Sequence, residues 1–187
     1  MRLNTIEDWF TYAKSVRRTI CGHLDTLRRL ASDCDSIVEF GIRSCSSSSA
    51  LLAGCKGTVY SWDIEELPHH GDLRSVAGDK WEVTYCPSQD AKTPDSFDML
   101  FHDTFHNYKQ VKAELDAHAD KARKYLVLHD SVKNAISGGE NHTRGNFNPD
   151  LAGFRLAVDE LMIRDPSWFI KEHHPHDDGL LVLERRK

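Results

Sequence analysis

Ser36-Ile37-Val38-Glu39-Phe40-Gly41-Ile42-Arg43-Ser44-Cys45-Ser46 is the stretch on which the fold turns. A short apolar run carries one acid near its end, and a glycine follows at once. Such a run suits a strand buried on both faces. A glycine after it lets backbone approach a ligand, and the helix that follows offers unpaired N–H groups.

Working outward, similar runs recur at residues 58–62, 81–85, 97–101 and 125–128. Helical patterns fill most of the gaps. The clearest covers residues 107–122, with Tyr108, Val111, Leu115 and Ala119 on one face. Strand–helix alternation of this kind predicts a parallel sheet covered on both sides. Residues 168–172 and 179–184 predict two final strands, joined by 173–178 as a hairpin.

Upstream, Asn4 and Glu7 have capping-box spacing. Behind them Ile6, Trp9, Phe10, Ala13, Val16, Ile20, Leu24, Leu27 and Ala31 recur at helical intervals, with Gly22 set to bend or split the helix. That stripe fits packing on the sheet or a homo-oligomeric interface. Residues 131–148 are rich in Gly, Asn, Ser and His and predict a functional loop. Asn148-Pro149 then starts a helix striped by Leu151, Phe154, Val158, Leu161 and Met162, which Asp165-Pro166 stops.

At 187 residues the chain reads as a single domain, 1–187. Its 40% hydrophobic and 28% charged content fits a globular rather than a disordered chain. A net charge of −5 leaves no basic surplus for a phosphate backbone, which argues against nucleic acid as a partner. No apolar run reaches membrane-spanning length, and no signal-peptide core opens the chain. The cysteines Cys21, Cys34, Cys45, Cys55 and Cys86 form no CxxC pair, so reduced thiols in a cytoplasmic protein are expected. The sequon at Asn141-His142-Thr143 would then carry no glycan.

Ligands of open α/β sheets bind at the carboxyl ends of strands. The residues there are Gly41 and Arg43 after the first run, Asp63 after the second, and Ser88-Gln89-Asp90 after the third. Asp103 and His106 follow the fourth, and His129-Asp130 the fifth. An acid in the Asp63 position can accept hydrogen bonds from ribose hydroxyls. Two aspartates with a polar neighbour make a hard-cation site, and a histidine with a near-neutral pKa suits a general base. Each residue alone has a plainer reading, as a turn glycine, a helix-capping aspartate or a half-buried histidine. Their order and spacing favour one site. The absence of G-x-G-x-x-G argues against dinucleotide binding. His173, His174 and His176, beside Asp177 and Asp178, read as a solvated turn.

These residues resemble the class I S-adenosylmethionine-dependent methyltransferases. More narrowly, they resemble metal-dependent small-molecule O-methyltransferases related to the catechol and macrolide-sugar enzymes and to the cephalosporin-hydroxylase-like group. The resemblance covers residues 37–130 and, more loosely, the final hairpin. It implies a Rossmann-like α/β sandwich: a mostly parallel seven-stranded sheet, an antiparallel C-terminal strand, and helices on both faces. It implies S-adenosylmethionine bound by Glu39, Gly41, Arg43, Asp63, Ser88, Gln89 and Asp103. It further implies a divalent metal, Mg²⁺ or Mn²⁺, on Asp103, His129 and Asp130, with His106 as general base and a small hydroxylated acceptor.

Two positions depart from the pattern. The motif E-x-G-x-x-x-G has Cys45 at its last glycine, which sets a side chain near the methionine end of the cofactor. His129 stands where relatives carry an acid, leaving one negative charge fewer. These departures favour two alternatives on the same fold: a metal-dependent hydrolase or oxygenase, or a non-catalytic cofactor-binding module. Asp103, His106, His129 and Asp130 also contain the residue types of a two-histidine, one-carboxylate iron site.

Overall fold

The apolar runs become the strands of one sheet. The computed structural model describes residues 3–136 and 153–186. Its strands are β1 (Ser36–Phe40), β2 (Thr58–Asp63), β3 (Trp81–Tyr85), β4 (Phe97–His102), β5 (Ala122–His129), β6 (Trp168–His174) and β7 (Leu180–Arg185). They lie in the order β3-β2-β1-β4-β5-β7-β6. Neighbours from β3 to β5 pair in parallel, and β7 runs antiparallel to both β5 and β6. This is the mostly parallel seven-stranded sheet the sequence predicts.

Period-two alternation sorts side chains between two cores. Ile37, Met99, Phe101, Val127 and Val182 face one side, with α1 (Ile6–Ser15), α2 (Leu24–Ala31), α3 (Ser46–Gly54) and α4 (Pro68–Ala77). Val38, Phe40, Leu100, Leu126 and Leu183 face the other, with α5 (Tyr108–His118) and α6 (Arg155–Arg164). Both faces are covered, which explains why the strand sequences are apolar throughout. The loop beyond residue 136, the sequon and the Asn148-Pro149 helix start lie outside the described residues.

The N-terminal helix is two helices, not one. The capping box that opens α1 is formed by Thr5 and Asp8, one residue past the expected pair. The Asp8 backbone N–H donates to Thr5 Oγ1 at 3.0 Å, and Asp8 Oδ2 accepts from Thr5 N–H at 2.9 Å. The chain breaks at Val16, whose backbone is extended, and resumes through a 3-10 turn at Thr19–His23. The break lets both α1 and α2 pack on α3. Gly22 is not where the helix bends. A Cβ there would sit 1.8 Å from Asp177 Oδ2, so glycine admits the turn between β6 and β7.

The strand order reverses between β1 and β4, which opens a crevice at their carboxyl ends. The ladder continues past both strands: Gly41 N–H donates to Trp62 O and Asp103 N–H to Phe40 O, each at 2.9 Å. The loops that follow β1, β2 and β4 are thereby held side by side.

Candidate active site

The loop after β1 is tightly determined. Gly41 has φ +90°, and a Cβ on it would meet the Asp103 carbonyl oxygen at 2.2 Å. Arg43 and Cys45 also have positive φ, 45° and 59°. The Asp63 carboxylate holds the loop from below. Its Oδ2 accepts from the N–H groups of Ile42 and Arg43, each at 2.8 Å, and its Oδ1 accepts from Ile64 N–H at 2.7 Å. The Arg43 carbonyl lies 2.6 Å from His69 Nε2 and 2.9 Å from His70 Nε2.

Cys45 does not crowd the crevice. Its left-handed backbone turns the side chain into the core, where it is fully buried with Sγ 3.9 Å from the His69 carbonyl oxygen. Glu39 also lies beneath the crevice rather than in it, fully buried. Ser47 Oγ donates to its Oε1 at 2.7 Å, and Ser48 and Ser61 Oγ donate to Oε2 at 2.8 and 2.6 Å. The serine run 46–49 is the opening turn of α3, and two of its hydroxyls anchor that helix to β1. Burial pushes the Glu39 carboxyl up to about 7, against the downward pull of the three serines. Any effect of Glu39 on a cofactor therefore passes through these serines and the loop.

Two cavities adjoin above the sheet. The first, about 510 Å³, is lined by Gly41, Arg43, Asp63, Ser88, Gln89 and Asp103, with the rings of Trp62 and Phe105. The second, about 810 Å³, is lined by Asp103, His106, His129 and Asp130, with Arg18, Ser44, Ser46 and Lys133. Asp103 and Arg43 belong to both. Every expected site residue except Glu39 thus reaches one of two contiguous spaces.

At their junction four side chains converge. His129 Nδ1 lies 3.1 Å from Asp103 Oδ1 and 3.2 Å from Asp130 Oδ1. His106 Nε2 lies 3.5 Å from Asp103 Oδ1, and its Nδ1 lies 3.4 Å from Asp130 Oδ2. Asp130 is held at φ 56°, the left-handed region that aspartate enters more readily than most side chains. Burial would raise the Asp103 carboxyl, but hydrogen bonds with His106 and His129 outweigh it and hold the group well below the usual carboxylate range. Burial raises Asp130 and prevails over the downward pull of the same two histidines. For His129, burial pulls downward and the Asp103 carboxylate pulls more strongly upward. One ligand atom each from Asp103, His106 and His129 lies within 4.8 Å of the others, a spacing that could close on a metal ion.

Sequence reasoning missed three buried groups, Glu114, His102 and His23. Glu114 is fully buried on α5. Its carboxylate accepts from Ser88 Oγ, from Thr104 Oγ1 at 2.9 Å and from Gln110 Nε2 at 2.8 Å, and it pairs with His102 at the end of β4. The signal was available, since Glu114 shares the apolar stripe of Val111, Leu115 and His118. His23 is also fully buried, its ring 5.7 Å from that of His129 and 4.6 Å from that of His176. Burial lowers its pKa to about 4. His173 and His174 are not in the expected turn but end β6, paired with Leu181 and Leu180; of the three histidines only His176 lies in the turn, where it is exposed.

Among the described residues no helix is long and apolar enough to cross a membrane, and all five cysteines are free. No family model matches the sequence, and no curated protein matches it. Solved structures do. The chain is similar to the O-methyltransferase from Bacillus cereus in complex with S-adenosylhomocysteine. The identity is 17% and the TM-score 0.69, over 97% of this chain and 90% of that one. It is similar to the O-methyltransferase TomG from Streptomyces achromogenes, involved in tomaymycin synthesis and solved with S-adenosylmethionine. That match has 15% identity and a TM-score of 0.64, over 97% and 89% of the two chains. It is also similar to the N-methyltransferase NodS from Bradyrhizobium japonicum, at 13% identity and a TM-score of 0.63, over 90% and 97%. At such identities fold is what is shared. The chain has the class I S-adenosylmethionine-dependent methyltransferase fold, complete from the strand order to the antiparallel β7.

Proposed function

We propose that this protein transfers the methyl group of S-adenosylmethionine to a hydroxyl oxygen of a small molecule. The observation that carries the reading is the meeting of the two cavities at Asp103. A nucleoside suits the first cavity, where Asp63 can accept from ribose hydroxyls. The adenine would take the part of this cavity walled by Ile64 and Phe105, near Ser88 and Gln89. The acceptor enters the second cavity, beside His106. The methyl–sulfur bond breaks as the methyl–oxygen bond forms, S-adenosylhomocysteine leaves, and His106 takes the hydroxyl proton.

Asp103, His129 and Asp130 would hold a divalent cation. Their donor set of two carboxylates and an imidazole fits Mn²⁺ or Mg²⁺. Such an ion would lower the pKa of the acceptor hydroxyl. His106 would then be positioned by its contacts with Asp103 and Asp130.

Calorimetric titration with S-adenosylhomocysteine, with and without Mg²⁺ or Mn²⁺, tests the reading. Micromolar binding is expected, and its absence under every condition would refute the proposal. His106→Ala should abolish turnover and leave cofactor and metal affinity nearly unchanged. One observation favours a second reading, a non-haem iron oxygenase: Asp103, His106 and His129 are themselves two histidines and a carboxylate within ligand reach. There His106 is a ligand, so His106→Ala would lose Fe²⁺ affinity as well as activity.

A further inference from the structure

The loop after β1 does something costly. It holds Arg43 and Cys45 in left-handed conformations in which side chains are disfavoured. Where a glycine stands at the second of these positions, the conformation is free of that strain. Here the strain must be offset by something that grips the loop. We infer that His69 and His70 form that grip, a two-histidine clamp on the Arg43 carbonyl that keeps the loop in its binding shape despite Cys45.

The geometry is specific. His70 Nδ1 lies 3.3 Å from the Leu67 N–H and 3.2 Å from Tyr85 Oη. Accepting from Leu67 leaves the proton of a neutral ring on Nε2, the atom 2.9 Å from the Arg43 carbonyl. The ring is buried and parallel to that of Tyr85, so it cannot swing away. His69 adds a second donor to the same oxygen at 2.6 Å. On the other side, Asp63 takes the Arg43 N–H. The residue is therefore gripped at both ends, from β2 and from the first turn of α4. Cys45 lies beside the clamp: its Sγ is 3.9 Å from the His69 carbonyl oxygen, and Sγ and one ring nitrogen of each histidine lie within 4.8 Å of one another.

The inference rests on the proposed cofactor site for its purpose, but its test does not need the cofactor. Hydrogen exchange of the peptide spanning residues 42–46 reads the loop in the free protein. His69→Ala/His70→Ala should speed exchange about tenfold in the wild type and in Cys45→Ala, where the strain persists. In Cys45→Gly the same pair of substitutions should speed it threefold or less. Emptying the buried His70 site also threatens the fold of α4, so His69→Ala alone provides a second series with the same sign. His69→Gln, which keeps an N–H donor, should restore slow exchange. Equal acceleration in the Cys45→Gly and Cys45→Ala backgrounds would overturn the clamp, as would no acceleration in the wild type. S-adenosylhomocysteine affinity should follow the same pattern, weakening about tenfold with the alanines and much less where Cys45→Gly has relieved the strain. If the wild type binds no S-adenosylhomocysteine, the proposed function fails while exchange still decides the clamp.

Discussion

Glu39 gives the sharpest quantitative test of this structure. Its carboxyl is fully buried and receives three serine hydroxyls, and burial still wins, lifting its pKa from 4.5 to about 7. The folded chain therefore keeps this proton to near neutrality, whereas the unfolded chain releases it near pH 4.5. Between those values unfolding releases a proton, so the contribution of Glu39 to stability falls as pH rises. The loss is complete once the folded group has ionised. A shift of this size corresponds to roughly 3 kcal/mol.

Glu39→Gln removes the titration and keeps the shape, and the serine hydroxyls can rotate to meet an amide. Urea unfolding, followed by tryptophan fluorescence at pH 5, 6, 7 and 8, yields both stabilities. Relative to Glu39→Gln, the wild type should lose most of about 3 kcal/mol over that range. His23 slopes the other way. Its folded pKa of about 4 lies below the unfolded 6.5, so stability rises with pH between those values. It is present in both proteins and cancels in the difference. A difference that does not change with pH would refute the argument. A wild type that gains on the variant as pH rises would mean that the serine donors outweigh burial.

Other outcomes follow from the same geometry. Gly41→Ala forces a Cβ toward the Asp103 carbonyl at a φ of +90°, so it should destabilise by about 2 kcal/mol in urea and weaken S-adenosylhomocysteine at least tenfold by calorimetry. Glu114→Ala strands His102 in the core, and unfolding experiments should show a loss of about 3–5 kcal/mol. Asp63→Ala frees the N–H groups of Ile42 and Arg43, and calorimetry should show S-adenosylhomocysteine affinity falling by about tenfold or more.

The strand frame was legible because burial on both faces leaves unbroken apolar runs, and residues that end such runs must sit at the crevice. That is why the sequence alone groups Asp63, Asp103, His106 and His129-Asp130 at one edge of the sheet. Glu39 was misplaced because its partners come from two other elements, and nothing local says that the serines after Cys45 turn back toward it. Cys45 was ambiguous for a different reason. A residue type does not declare the sign of its φ, and the sign decides whether the side chain enters the crevice or the core. The Asn4–Glu7 and Thr5–Asp8 pairs both fit a capping box. A one-residue shift turns a helix by about 100°, so packing on α3 chose between them.

The end of β4 shows how the two halves of the site are joined. His102, Asp103 and Thr104 are consecutive, and neighbouring side chains near a strand point to opposite sides. His102 and Thr104 both reach Glu114, while Asp103 between them faces His106 and His129. Glu114 also accepts from Ser88 and Gln110, which line the first cavity. One buried carboxylate thus fixes the residues on either side of Asp103 and part of the wall of the first cavity. The Bacillus cereus protein is an O-methyltransferase and the Bradyrhizobium japonicum protein an N-methyltransferase, so the shared fold alone does not select the acceptor. Glu114→Gln should disturb both cavities at once, weakening S-adenosylhomocysteine by calorimetry and shifting the His106 ring signals by NMR, and a change confined to one of them would refute the link.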